Sequence, residues 1–199
     1  MYILGDIGNS ETKIYLVSSN NVIIKNISLP TNKINNKNLK LKFKSLTKSF
    51  FGIEKVLFCS VVPKSFNLIK KFLSNKTKKK CYEVKDLKLK SLIKINVIYK
   101  QVGSDRLTNA ISLSNNKDNF IILDLGTATT FDVIIKKTYK GGIIAPGIKI
   151  SLNSLSDKAT LIPQINLKKI KKVLGNDTVS AVRSGFFLGF AGLMENIVC

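Results

Sequence analysis

Asp124-Leu125-Gly126-Thr127-Ala128-Thr129-Thr130-Phe131-Asp132 stands 118 residues after Asp6-Ile7-Gly8-Asn9-Ser10-Glu11-Thr12-Lys13, and the two stretches read as one hairpin written twice. The offset carries Asp6 to Asp124, Gly8 to Gly126, Asn9 to Thr127 and Thr12 to Thr130, with apolar strand sequence on either side. A repeated unit of this kind predicts two structurally similar halves. Each half continues from strands into helical pattern, which predicts a layered α/β or α+β architecture.

Working outward from the first copy, Ile3 to Ile7, Lys13 to Val17 and Val22 to Ile27 read as an antiparallel meander, with turns at Gly8-Asn9-Ser10 and Ser19-Asn20-Asn21. Between Thr31 and Ser49, Leu39, Phe43, Leu46 and Phe50 fall at helical spacing and predict an exposed amphipathic helix. Val56 to Val62 reads as a buried strand, and Pro63 as the start of a helix over Lys64 to Leu73. Lys76 to Lys80 reads as a solvated turn. Around the second copy, Phe120 to Leu125 is an apolar run suited to a strand buried on both faces. Thr129 to Ile135 is its expected hairpin partner, Gly141 to Ala145 reads as a third strand, and Thr178 to Val198 is a mostly apolar helix capped by Asp177 or Thr178. The Gly185-x-x-x-Gly189 spacing inside it predicts close helix packing.

Bulk composition narrows the class. A chain of 199 residues with 44% hydrophobic content can bury a core in one domain or two small ones. Cys59, Cys81 and Cys199 are odd in number and lack C-x-x-C spacing, which favours neither a disulfide framework nor a thiolate metal site and fits a reducing, cytoplasmic setting. Asp6 interrupts the apolar N-terminus too early for a signal peptide, and Gly185 to Met194 is shorter than the ~20 residues a membrane span requires. The net charge of +21 attracts phosphate-bearing partners, but it is almost all lysine, scattered among Asn and Ile. A/T-rich coding and a nucleic-acid face both account for it, and no basic-aromatic motif marks a specific nucleic-acid site. Histidine is absent, so acid/base chemistry falls to carboxylates or lysines.

The hairpin suits phosphate. Gly8 lets backbone N–H groups approach an anion, Asn9, Ser10 and Thr12 add donors, and Lys13 can neutralise a transferring group. Asp6, where strand meets turn, can hold magnesium or its waters beside the phosphates. Gly126, Thr127, Ala128 and Thr129 offer the same cradle around Asp124. Either copy alone is equally an ordinary turn; the aligned pair is what favours phosphate binding. Gly103-Ser104-Asp105-Arg106 opens a helical pattern with Ser104 as N-cap and Asp105 in the first turn, where the helix dipole keeps a carboxylate ionised and able to take a proton from an alcohol. Arg106 offers a donor fork for a carboxylate or phosphate. A capped helix start with a surface ion pair explains the same four residues. Gly141-Gly142-Ile143-Ile144-Ala145-Pro146-Gly147 is either structural punctuation or backbone that passes close to a ligand.

Taken with Ser60-Val61-Val62-Pro63, Thr160-Leu161-Ile162-Pro163, Asn176-Asp177-Thr178 and Ser184-Gly185, these motifs in this order resemble type III pantothenate kinase over nearly the whole chain. The resemblance implies an α/β fold of two ribonuclease-H-like halves, as in the actin, sugar kinase and chaperone ATPase superfamily, here residues 1–116 and 117–199. It implies ATP-dependent phosphorylation of pantothenate to 4'-phosphopantothenate, the first step of coenzyme A biosynthesis. It also implies a general base at Asp105 and an ATP site over Asp6, Ile7, Gly8, Asn9, Ser10, Glu11, Thr12, Lys13 and Thr127. Tyr99, Gly103, Ser104, Asp105, Arg106 and Thr178 would hold pantothenate, Asp124 a monovalent cation (potassium or ammonium) and Asp6 magnesium. The family is a cytoplasmic homodimer. Its members continue past the long helix into a strand and helix with a Thr-Gly-Gly turn, so the second half is expected to be incomplete, and an inactive relative with an accessory role is the competing expectation.

Overall fold

The computed structural model describes residues 1–170 and 172–199, with side chains at 45 and 47–49 left aside. The chain divides into two compact units, Met1–Asp118 with Ile134–Lys140, and Asn119–Val133 with Gly141–Cys199.

The first unit is built on β1 (Tyr2–Ile7), β2 (Glu11–Val17) and β3 (Ile23–Pro30), an antiparallel meander as the alternating apolar pattern predicts. A 3-10 turn at Thr31–Lys33 and helix α1 (Asn36–Phe43) lead through a second 3-10 segment, Lys44–Gly52, to β4 (Lys55–Ser60). Helix α2 (Pro63–Thr77) returns the chain to β5 (Cys81–Glu83), giving a five-stranded sheet of order β3-β2-β1-β4-β5 in which β4 runs parallel to β1 and β5 to β4. Leu39, Phe43, Leu46 and Phe50 are all buried, so the stripe read from the sequence is core, though the helix ends at Phe43 and the remainder winds as 3-10. α2 starts at Pro63 as expected but runs past Leu73 through Lys76, closing in a left-handed residue at Lys78 (φ 57°).

Close packing between strands depends on Gly5. Its register partner on β4 is Phe58, and a Cβ at position 5 would lie 2.0 Å from that ring. The absent side chain lets the fully buried Phe58 lie across β1, a burial that contributes about 2–3 kcal/mol.

After a short strand, β6 (Lys94–Ile95), and a 3-10 turn at Tyr99–Gln101, helix α3 (Ser104–Leu113) packs on β4. The second hairpin series follows as β7 (Asn119–Leu125), β8 (Ala128–Ile135) and β9 (Thr138–Pro146), in a sheet of order β6-β9-β8-β7. The expectation that β7 is buried on both faces is corrected here. It is an edge strand, with Ile121, Leu123 and Leu125 exposed. A run of consecutive apolar residues cannot by itself tell a central strand from an edge.

The second unit ends with α4 (Ile148–Lys158) and α5 (Thr178–Val198). Asp177 caps α5 by a reciprocal box with Ser180, as the sequence indicated. The glycine-mediated packing expected along α5 is not found: a Cβ on Gly185 or Gly189 would meet nothing within 4 Å among the described residues, and the one buried residue of the helix is Ser184, whose hydroxyl bonds the Val173 carbonyl. No helix of the described residues is long and apolar enough to cross a membrane.

Candidate functional site

Parallel pairing puts the carboxyl ends of β1 and β4 side by side, with Asp6 opposite Cys59 and Ile7 opposite Ser60. Such strand ends are where ligands gather in α/β sheets, because the following loops open there. The Cys59 thiol donates to Asp6 Oδ1 at 3.4 Å. Burial, then the Asp6 charge and its hydrogen bond, and then the Asp105 charge all push this thiol well above its ordinary range. Asp6 therefore touches this thiol directly, and the Asp105 charge reaches it from α3. The sequence motifs did not include Cys59, and no residue pattern marks it; only strand register brings it to Asp6.

Helix α3 delivers Asp105. The N-cap is Gly103, not Ser104 as the sequence implied. Ser104 is the first helical residue and is buried; its hydroxyl accepts from the Ser60 N–H at 2.7 Å and donates to the Ser60 carbonyl at 3.0 Å. That side chain is a two-point staple between the helix start and the end of β4. Asp105 Oδ1 folds back over the helix start, accepting from the Arg106 N–H at 2.8 Å. A Cβ at Gly103 would lie 2.3 Å from that oxygen, so a side chain there would require the Asp105 carboxylate to turn aside. Tyr99 is half-buried, and its hydroxyl donates to the Lys85 carbonyl at 3.1 Å.

In the Gly8–Ser10 turn, Asn9 and Ser10 are exposed, while the Gly8 N–H closes on Glu11 O at 3.0 Å. Three further residues expected at the ATP site lie on β1 and β2. Ile7 is fully buried, its carbonyl accepting from the Val61 N–H. Thr12 is fully buried, with its hydroxyl 2.9 Å from that of Thr31. Glu11 accepts from Ser28 and pairs with Lys13 at 3.6 Å, both side chains being half exposed. Strand alternation explains the place of Thr12: position 12 faces inward with Ile14 and Leu16.

Asp124, Thr127 and Thr178 belong to the second unit. Asp124 is exposed at the end of β7, Thr127 is in the turn and Thr178 is the exposed first residue of α5. Here the repeat is deeper, and differently registered, than the sequence showed. β3 ends at Pro30 and β9 at Pro146; Thr31 then donates its N–H to Ser10 O at 3.0 Å, and Gly147 to Thr127 O at 3.1 Å. The second turn is one residue shorter: Gly126 closes on Ala128, and Thr129, not Thr130, takes the fully buried place of Thr12. Gly147 is obligatory, since a Cβ would sit 2.3 Å from Gly126 O and 2.4 Å from Thr127 O. It also lacks the hydroxyl that Thr31 offers Thr12, and the buried Thr129 hydroxyl has no hydrogen-bond partner among the described residues.

Comparison with known proteins agrees with this geometry. The family model for type III pantothenate kinase matches residues 2–199. A type III pantothenate kinase of Pelagibacter ubique is 61% identical over the whole chain, which covers 80% of that protein; one from Syntrophotalea carbinolica is 35% identical over 75% of the chain and 60% of its own length. Among solved structures, a protein of Sinorhizobium meliloti provisionally described as a 2-dehydro-3-deoxygalactonokinase aligns over all of the chain and 83% of its own, with a TM-score of 0.58 at 7% identity. A Campylobacter jejuni protein provisionally described as a Baf family transcriptional activator aligns over 98% of the chain and 78% of its own, with a TM-score of 0.55 at 21% identity. At these identities the two structures show the fold alone, an α/β architecture with mixed sheets. By the span of the family match and the identity to the Pelagibacter protein, this chain belongs to the type III pantothenate kinase family.

Proposed function

We propose that the chain transfers the γ-phosphoryl group of ATP to the hydroxyl of pantothenate, forming 4'-phosphopantothenate and opening coenzyme A biosynthesis. The observation that carries this reading is the staple from Ser104 to Ser60, which holds the start of α3 and its Asp105 at the end of β4, beside the end of β1 that bears Asp6, in a member of this family. Asp105 serves as the general base, taking the proton of the pantothenate hydroxyl as that oxygen attacks phosphorus; a positioned base of this kind contributes about 10²–10⁴-fold. The reaction otherwise asks for positioning and charge neutralisation. Arg106 is suited to the pantothenate carboxylate, with Tyr99 and Thr178 as further contacts. The Gly8–Ser10 turn, Lys13 and Thr127 bind ATP, and the two halves are residues 1–116 and 117–199.

No cluster of three or more His, Cys, Asp or Glu side chains suited to a metal occurs among the described residues. A single carboxylate at Asp6 fits magnesium held mainly through substrate phosphates and water. When bound there, the ion would neutralise phosphate charge. Asp124, an exposed carboxylate near the end of β7, is an oxygen ligand of the kind that potassium or ammonium takes. The protein acts as a cytoplasmic homodimer on this reading.

The test is a coupled assay on the purified full-length chain, with ATP, pantothenate, magnesium and potassium. Pantothenate-dependent ADP release that disappears in Asp105→Asn is the expected result. Folded protein that binds both substrates without turnover would establish the inactive-relative reading instead.

A further inference from the structure

Thr31 closes the first turn in a way that its counterpart Gly147 cannot. Its backbone N–H holds Ser10 O at 3.0 Å, and its hydroxyl donates to Gly8 O at 2.7 Å. A hydroxyl has one proton, so at 2.9 Å Thr31 must accept from Thr12, whose own proton is thereby used. One buried residue thus ties the Gly8 carbonyl through its hydroxyl and the Ser10 carbonyl through its backbone, and its hydroxyl is itself anchored by a second buried side chain.

We infer that Thr31 is a positioning residue for ATP phosphate, acting through the peptide between Gly8 and Asn9. In a planar trans peptide the C=O and N–H point in opposite directions. Holding the Gly8 carbonyl at the buried Thr31 hydroxyl therefore aims the Asn9 N–H away from the core, on the side where Asn9 and Ser10 are exposed. The Gly8 N–H is engaged by Glu11 O, so the Asn9 amide is the donor that this lock presents. Without the hydroxyl the Gly8 carbonyl loses its partner and the peptide plane can rotate, taking the donor off the anion. In the second hairpin the corresponding bond is that of the Gly147 N–H to Thr127 O, and Gly147 has no hydroxyl with which to hold a second carbonyl. The hydroxyl lock is therefore a feature of the first copy, the one that presents an N–H to the anion.

The inference rests on the assignment of this turn to ATP, and the experiment separates the two. Thr31→Val, Thr31→Ser and Gly8→Ala are compared in the full-length enzyme by steady-state kinetics with each substrate varied, by calorimetric titration of ATP, and by thermal melting. Thr31→Val keeps the backbone N–H and removes the hydroxyl; ATP Kd and KM should rise about fivefold, the effect of one ordinary hydrogen bond, while the pantothenate KM stays within about twofold. Thr31→Ser should restore ATP binding. If Thr31→Val does not fold, Thr12→Val/Thr31→Val removes both hydroxyls together and carries the same expectation. A melting shift with unchanged ATP binding, or equal rises in both KM values, overturns the inference. If that happens while Gly8→Ala, whose Cβ would lie 3.2 Å from Glu11 O, weakens ATP binding, the turn remains the ATP site and only the role of Thr31 falls. If neither variant changes ATP binding, the turn is not the ATP site and both readings fall.

Discussion

Asp105 and Ser104 are adjacent yet face different tasks, and the difference is testable. Asp105→Asn retains the shape of the helix start but removes the base, so turnover should drop by at least about 10²-fold while the thermal midpoint holds. Ser104→Ala leaves the Ser60 N–H and carbonyl without their bridging hydroxyl. A loss of about 1–3 kcal/mol in urea unfolding is expected, with reduced kcat because α3 is no longer pinned to β4. The thiols make a third residue-scale case. Burial raises Cys81 to about 12 and Cys59 higher still, from an ordinary 9.0, whereas Cys199 is exposed. Native protein at pH 8 should take up alkylating reagent at Cys199, with Cys59 and Cys81 reacting only after denaturation. Because both folded values exceed the unfolded one, the folded state holds the protons more tightly. Its stability is complete below pH 9 and is lost as pH rises towards the folded values, which denaturant titrations between neutral and alkaline pH can measure.

Among the elements, the second hairpin makes the sharpest demand. Gly147→Ala forces a methyl into the Gly126 and Thr127 carbonyls, so the turn must shift. Destabilisation of about 1–3 kcal/mol is expected. On the proposed cation assignment, activation by potassium should weaken in the same variant, measured as the potassium concentration for half-maximal rate. Most elements were legible from periodicity and breakers: the meander β1 to β3, the Pro63 start of α2 and the Asp177 cap of α5 follow from local chemistry. The misread elements share one cause. Whether β7 lies at an edge, and whether Gly185 and Gly189 meet a neighbour, depends on what packs beside them, and no local pattern carries that.

For the molecule as a whole, the +21 charge opposes compaction through self-repulsion. Raising ionic strength to about 0.1 M, where the screening length is about 10 Å, should raise the thermal midpoint. Nucleic acid held by this charge alone should release steeply with salt and survive Asp6→Ala and Asp124→Ala, as filter binding can check. By itself the sequence determined the α/β class, the duplication, the ordered motifs and the family they resemble, because turns, caps and apolar periodicity are written in neighbouring residues. Tertiary structure alone decided that Cys59 meets Asp6, that Ser104 staples Ser60, and that the Thr31 hydroxyl holds the Gly8 carbonyl while Gly147 reaches Thr127 through its backbone N–H. Those contacts join residues 20 to 53 positions apart through strand pairing and the packing of α3 on β4, and the residue types involved are too common to announce it.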